Sequence, residues 1–445
     1  MSREDQEPER ASGGGSRRAE ALFLLLFLAV VVAVHLAVRA RQGEPKVWGD
    51  ETHYYGYALF AVRNGETSLL PGKQDFDHRP DLGARVLAQL IGPDATPAQA
   101  VHAASGLQVV LLALLLVLTY VAARQLGLGA PGASCATVLL GIFPWLGFHV
   151  HSLWPEVLHA LFFALALCAV LAHLSSGGAA WLVLAGLATG YALLTKGSIG
   201  GFVPIALVWA FAVTWRRGLG RSRRERLLRA LVPALAYGAG VLAVVGPQAI
   251  RNHADGHGWR LSANRWWNLE LGLTLPGEIH AAAGDQRWAA TLETSVHYFQ
   301  AADTPEERER LARERTLVFL RSSSLPRIAV DQALKLAGLV LRGDSCLEQA
   351  LTYRERWGAA PPAWARGLER FGRIEWYALW LLGLAGLALR AGRTPGWTFL
   401  ALFALFFLAG LLLVPFKVRF ALPLVPVLCL ASGAMLETLQ RRLRS

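Results

Sequence analysis

Two adjacent carboxylates, Asp50 and Glu51, stand in the stretch Val47-Trp48-Gly49-Asp50-Glu51-Thr52-His53-Tyr54-Tyr55, just after the first long apolar run of the chain. A carboxylate at a membrane surface is suited to remove a proton from an acceptor hydroxyl as general base. Two in succession are also a pair that a divalent cation would take. The plain alternative is an acidic loop kept in water. Charges tied to a membrane face are more often functional than idle. On that reading Asp50 is the base, and Glu51 orients it, pairs with an arginine or binds metal.

Other polar residues sit at the ends of apolar runs: His149, His151, Ser152, Trp154, Pro155 and Glu156; Thr195, Lys196 and Ser198; Gly246 through Asn252 with Arg251; and Lys417-Val418-Arg419. Arginine and lysine suit a phosphate, and arginine binds it bidentately. For each there is a structural alternative. Glu156 follows Pro155, which fits the first helical position, so the helix dipole favours a carboxylate there regardless of function. Lys196 at a span end is placed to snorkel, and Arg251 is placed as an interfacial anchor. The histidines His53, His78, His149, His151 and His159 match no compact metal spacing. Tyr54, Tyr55 and Tyr57 read as interface packing before sugar stacking.

The elements that must position these residues are membrane spans. The 445 residues are 54% hydrophobic and 17% charged, with 15 Trp, which excludes an ordinary soluble protein of this length. Lys and Arg outnumber Asp and Glu by 44 to 32. In a polytopic chain that excess reads as cytoplasmic-loop arginine rather than nucleic-acid binding. Cys135, Cys168, Cys346 and Cys429 form no CxxC, zinc spacing or disulfide framework.

Residues 1–20 are polar, Gly/Ser-rich and expected to be a disordered cytoplasmic tail. A first span over 21–38 follows Arg17-Arg18. It is too long for the core of a cleaved signal peptide, and no small-residue cleavage site follows it. Residues 40–98 are a polar loop with two interfacial helices. One follows the acidic pair, with Tyr54, Tyr57, Ala58, Ala61 and Val62 at helical spacing. The other follows Arg79-Pro80, with Leu82, Val86, Leu87 and Leu90 on one face. Spans are expected near 103–123, 133–149, 156–173, 178–194, 200–215 and 228–248, closing a catalytic core over 21–249. A polar, helical region follows over 250–374, with a clean helix start at Asp303-Thr304-Pro305-Glu306-Glu307. Spans near 375–390, 396–414 and 420–436 and a basic tail complete 375–445. The fold class is thus an all-α polytopic membrane protein of about ten spans.

With the N-terminus inside, the arginine-rich loop 216–229, Arg390 with Arg393, and the tail Arg441, Arg442 and Arg444 all fall on the cytoplasmic side. The same count puts Asp50-Glu51 and 250–374 outside. Acids and bases distant in sequence then meet at one membrane face. That arrangement fits chemistry on an amphiphile whose head group is outside and whose tail lies in lipid.

These residues resemble the GT-C membrane glycosyltransferases, closest to the protein O-mannosyltransferase and lipid A aminoarabinose transferase branch. Asp50-Glu51-Thr52-His53-Tyr54 looks like its first-loop acidic motif. Arg79-Pro80-Asp81-Leu82 is similar to its Lys-Pro-Pro-Leu segment, and Trp154-Pro155-Glu156 to its second acidic site. Gly190 through Lys196 resembles Gly-x-Ala-x-Leu-Thr-Lys, Pro247 through Asn252 resembles Pro-Trp-x-x-Arg-Asn, and Arg419 through Pro426 resembles Arg-Tyr-x-Leu-Pro-x-x-Pro. Six short motifs in the expected order and on the expected sides make the resemblance specific. His53 stands where the aminoarabinose enzymes carry Arg, Asp81 replaces the second Pro, Arg79 replaces Lys, and Gln248 stands in for Trp.

The resemblance implies a polyprenyl monophosphate sugar donor, inverting transfer to an acceptor hydroxyl on the extracytoplasmic side, and a bacterial cytoplasmic membrane location with both termini inside. Asp50 would be the base, with Glu51 and Glu156 as further acidic site residues. Arg79, Lys196, Arg251 and Arg419 would bind the donor phosphate and neutralise it as it leaves. His53, Tyr54 and Asn252 would line the substrate. The expected partners are the lipid-linked donor, the bilayer and an unspecified acceptor, with no nucleic acid. A divalent cation on Asp50 and Glu51 is the one cofactor left open. The competing class is a transporter, flippase or non-catalytic binder of lipid-linked sugars. Such a chain should carry ionisable groups and broken helices at mid-membrane. Here the charges stand at span ends, and only His35 and His159 sit deeper.

Overall fold

The computed structural model describes residues 13–47, 50–65, 82–197, 202–220, 222–254, 256, 258–261, 265–274, 304–341, 363–413 and 418–444. Among these residues there are helices and turns and no strand. In chain order the helices are α1 (Gly13–Arg41), α2 (Asp50–Asn64), α3 (Leu82–Ala88), α4 (Pro97–Gln125), α5 (Ala130–Ile142), α6 (Pro144–Val150), α7 (Glu156–Ser176) and α8 (Ala179–Thr195). Then come α9 (Phe202–Arg217), α10 (Arg223–Ala254), α11 (Arg265–Thr274), α12 (Pro305–Ser322), α13 (Leu325–Leu341), α14 (Ala363–Arg390), α15 (Pro395–Leu411), a 3-10 segment (Val418–Leu424) and α16 (Val425–Arg444).

By length and composition, α1, α4, α7, α10 and the helical run Phe420–Arg444 can each cross a membrane; α5 and α6 together make a sixth, bent by 56°. α8 and α15 are shorter apolar helices. The chain is a multi-pass membrane protein. The expected single span over 133–149 is therefore broken. Pro144 opens α6 without an N–H to give, and it forces Phe143 into extended backbone at φ −65°, ψ 108°.

Three other expectations shift. α1 starts at Gly13, inside the tail read as disordered over 1–20. α14 starts at Ala363, well before 375, and α10 runs past 249 to Ala254. Helix length overrode the change in composition at each place, because a continuing backbone ladder costs less than opening it beside a greasy face. Asp50 is the first residue of α2, so the acidic pair is inside that helix rather than before it, and Leu90 falls beyond α3.

Two interfaces set the frame. α8 and α10 meet through glycine: a Cβ on Gly186 would fall onto the Tyr237 carbonyl, and one on Gly240 onto that of Val183. Only backbone against backbone fits there, as small residues permit between membrane helices. Tyr237, fully buried, donates to Thr189 Oγ1 at 3.1 Å and pins the same pair. At the broken span, Phe143, Trp145 and Trp376 of α14 form an aromatic knot, the two indoles 4.6 Å apart, and the Trp376 indole N–H donates to the Leu339 carbonyl of α13.

α11, α12 and α13 form a module in which buried charge is tied down. Arg315 pairs with Glu270 at 2.5 Å, and Glu309 accepts the Trp266 N–H. Burial raises the Glu309 carboxyl above the usual carboxylate range. Lys335, 1% exposed, donates to the carbonyls of Gly272 at 2.6 Å and Leu412 at 2.9 Å, joining α11, α13 and the end of α15. Burial lowers its ammonium to about 7. α12 opens as its sequence predicts, with the Glu307 N–H on Thr304 Oγ1 at 3.2 Å and Pro305 at the first position.

Candidate functional site

The first turn of α2 carries both carboxylates, where the helix dipole favours them, yet they separate at once. Glu51 lies on the stripe that buries Tyr54 and Ala58 and is itself fully buried; Asp50 is half-buried. Glu51 Oε1 accepts the Leu153 N–H at 2.9 Å. Its partner is thus a backbone amide 102 residues away. That binds α2 to the 150–155 connection.

The connection is itself built from buried polar contacts. The His151 ring bridges two helices, with Nε2 3.0 Å from His35 Nδ1 of α1 and Nδ1 2.9 Å from Ser105 Oγ of α4. Gln42 donates to the His151 carbonyl and Gln108 to that of Ser152. In this chain one imidazole must donate to the other, so the tautomers of His35 and His151 are set together.

The connection ends at Pro155, which caps α7 one position earlier than the sequence suggested, so that Glu156 is the first helical residue. Glu156 is 4% exposed, and its Oε1 accepts from Lys196 Nζ at 2.7 Å. Lys196 is the extended cap residue at the end of α8, φ −158°, ψ 121°, which sends its side chain back across α7. Its ammonium also lies 4.8 Å from the Phe420 ring centroid, above the 3-10 segment. Four elements distant in sequence thus meet around one ion pair: the connection before α7, α7, the end of α8 and the segment leading into α16.

α3 closes the arrangement from one side. Gly83 packs where a Cβ would touch Pro155 Cβ at 3.0 Å and the Tyr54 ring at 3.6 Å, so α3 lies against both the acidic helix and the start of α7. Arg85 donates to Gln248 Oε1 at 2.9 Å, Gln248 donates to Asn252 Oδ1 at 2.8 Å, and Asn252 donates to the Arg260 carbonyl at 2.6 Å. Beneath α3 an apolar groove is lined by Val86, Leu87, Leu107, Leu111, Trp154 and Leu158.

Of the residues named from the sequence, Glu51, Glu156, Lys196 and Tyr54 are brought to this end of the bundle together with Asp50. Tyr54 is buried in packing, and the Asn252 amide is engaged on both sides. His53 and Arg251 are exposed. Arg79, Ser198 and Lys417 lie outside the described residues, and of Arg419 only the backbone is described. No group of three or more His, Cys, Asp or Glu side chains that could hold a metal ion occurs among the described residues. Ser105, Gln108 and Arg85 were not singled out from the sequence, where each is a lone polar residue outside any motif. Glu375 was also missed: it is 5% exposed at the outset of an apolar run on α14, and neither carboxyl oxygen has a hydrogen-bond partner among the described residues.

No family model and no curated protein matches the chain. Solved structures do. The oligosaccharyltransferase AglB from Archaeoglobus fulgidus, in complex with an inhibitory peptide and a dolichol-phosphate, aligns over 95% of this chain at a TM-score of 0.53 and 15% identity. Its apo form aligns over the same share at 0.51 and 16% identity. This chain spans about half the length of that protein, 51% and 52% in the two alignments. ArnT from Cupriavidus metallidurans, bound to undecaprenyl phosphate, aligns over 92% of this chain and 77% of its own at a TM-score of 0.40 and 17% identity. The chain shares the fold of AglB over nearly its whole length.

Proposed function

We propose that the chain transfers a sugar from a polyprenyl monophosphate donor to an acceptor hydroxyl, with inversion, on the extracytoplasmic face of a bacterial cytoplasmic membrane. The observation that carries this reading is the Glu156–Lys196 pair, a buried carboxylate on a half-buried ammonium, three residues along the chain from the Leu153 amide that Glu51 holds. A lysine held in a low-dielectric site by an exchangeable side chain is a receptor for a phosphate head group. A carboxylate in the first turn of a helix pinned by its neighbour is a base held in place. Asp50 takes the acceptor proton, and Glu51 aims it through the Leu153 amide. Lys196, with Arg79, Arg251 and Arg419, neutralises the phosphate as the bond to the sugar breaks. His53 faces the substrate, and Asn252, its amide engaged on both sides, holds the end of α10 in place. The fold shared with a protein solved with dolichol-phosphate agrees with a lipid-linked donor.

The test supplies the purified protein with a panel of polyprenyl-phosphate sugars and compares wild type with Asp50→Asn. Turnover of one donor, lost in the variant, supports the reading; full activity in the variant sinks it. Running the assay with a chelator decides whether Asp50 and Glu51 use a divalent cation.

One observation favours the second reading, a flippase of lipid-linked sugars: the span broken at Phe143-Pro144, with Glu375 buried beside the aromatic knot. It predicts movement of a fluorescent polyprenyl phosphate across sealed vesicles with no sugar released. Such movement in Asp50→Asn vesicles would support it.

A further inference from the structure

Beneath the Glu156–Lys196 pair lies a group that the proposed transfer does not use. His159 is three residues after Glu156, one turn deeper on the same face of α7. Its ring is 1% exposed. Nδ1 stands 3.0 Å from the Ala192 carbonyl, one turn before Lys196 on α8. A carbonyl only accepts, so Nδ1 carries the hydrogen and Nε2 is left as a bare lone pair in the neutral ring. That nitrogen is buried and has no hydrogen-bond partner among the described residues. The charges acting on the ring are Glu156 from its own helix and Lys196 from α8. An unsatisfied basic nitrogen set under a buried ion pair is costly to keep and has one evident use, to take a proton when the charge above it changes.

The charge does change if a phosphate binds at Lys196, and the inference rests on that reading. At rest the carboxylate and the ammonium sum to zero. A phosphodiester brings one negative charge to the same ammonium, so the surroundings of the buried Glu156 carboxylate become one unit more negative. The geometry points to His159 as the proton acceptor of the phosphate site: binding of the lipid phosphate is accompanied by uptake of one proton from water, which forms an N–H bond at Nε2 and restores neutrality. No bond in the ligand breaks in this step. On release of the phosphate, Lys196 returns to Glu156 and the proton leaves. Affinity for the lipid phosphate is therefore coupled to pH and rises as pH falls.

The experiment is calorimetric titration of the purified full-length protein, with chelator present, in buffers of different ionisation enthalpy at the same pH. The probe is a short-chain polyprenyl methyl phosphodiester, whose single charge does not titrate near neutrality. The matching polyprenyl alcohol is the control. Wild type is expected to bind the phosphodiester and not the alcohol, with a slope of heat against buffer enthalpy that reports about one proton taken up. His159→Asn keeps a donor for the Ala192 carbonyl and lacks the second nitrogen; it is expected to bind with a slope near zero and with affinity no longer rising as pH falls. Binding by wild type with no proton uptake overturns the inference and leaves the phosphate site standing. Equal uptake by His159→Asn overturns it as well. Absence of binding by wild type, or undiminished binding by Lys196→Met, overturns the phosphate reading itself. If His159→Asn does not fold, His159→Gln and the wild-type slope decide the question.

Discussion

Two lysines among the described residues, Lys335 buried and Lys196 half-buried, are held in opposite ways. Lys335 reaches the carbonyls of Gly272 and Leu412, oxygens that belong to helix ends and cannot turn away. Lys196 reaches the side chain of Glu156 and lies over the ring of Phe420, partners that can rotate. Backbone acceptors satisfy the amine for good: two N–H bonds on two carbonyls suffice even when it is neutral, consistent with an ammonium lowered to about 7. A carboxylate partner demands charge and can exchange it for another anion. A buried cation fixed by the backbone is a rivet, whereas one held by a side chain is a receptor.

The comparison can be broken or sharpened by substitution, taking the largest expected effect first. Asp50→Asn removes the base next to the receptor lysine and should lower transfer by about 10²–10⁴-fold with donor binding retained, as measured by turnover and by titration with the lipid phosphate. Lys196→Met should abolish lipid-phosphate binding and, by taking one ammonium from the buried Glu156 carboxylate, lower stability in thermal or denaturant melts. The double variant with Glu156→Gln should recover the stability but not the binding. Recovery of both would erase the distinction between the two lysines.

Glu51→Ala leaves the Leu153 amide without its acceptor and should cost about 1–3 kcal/mol, while Glu51→Gln keeps an acceptor oxygen and should cost less. Equal losses in the two variants would show that Glu51 acts through its charge. Lys335→Met should leave lipid-phosphate binding unchanged and act only on stability. Because the folded state lowers the Lys335 pKa from 10.5 to about 7, the unfolded chain binds more protons between those values. Wild-type stability should therefore gain as pH rises from about 7 towards 10, relative to Lys335→Met. Parallel pH curves for the two proteins would remove the rivet argument. Smallest is Thr304→Ala, about 1 kcal/mol from the lost cap of α12, read as earlier local exchange of the Glu307 amide hydrogen.

Much of this was legible in the sequence. Hydropathy and the arginine runs located the helices, because a run of apolar residues has few alternatives in lipid. Threonine and proline marked the start of α12, whereas α4 begins at Pro97, ahead of the span expected from 103. Asp50, Glu156 and Lys196 could be gathered because each stands at a span end, where topology alone decides which residues share a face.

Facing was what the sequence withheld. Glu51 was read as orienting Asp50, pairing with an arginine or binding metal, and its hold on the Leu153 amide went unseen because Tyr54 and Ala58 were assigned to a helix thought to begin after it. His35 and His151 are 116 residues apart, and nothing local signals that two imidazoles will touch. Lys335 and Glu375 were not singled out, because the groups that bury them lie on elements distant in sequence, such as Gly272 and Leu412 for Lys335. The break at Pro144 was written plainly, but the apolar run across it outweighed one proline.

The glycine contact between α8 and α10 has a mechanical side. With no side chains to slide or compress at Gly186 and Gly240, the two helices form a stiff beam, and Lys196 at the end of one keeps its spacing from Gln248 near the end of the other. α3 leans on that beam through Arg85, which donates to Gln248, while Gly83 packs on Pro155 and Tyr54. Compliance at this end of the molecule is therefore concentrated in α3. A pair of spin labels on α8 and α10 should serve as a fixed ruler against which its excursions are measured.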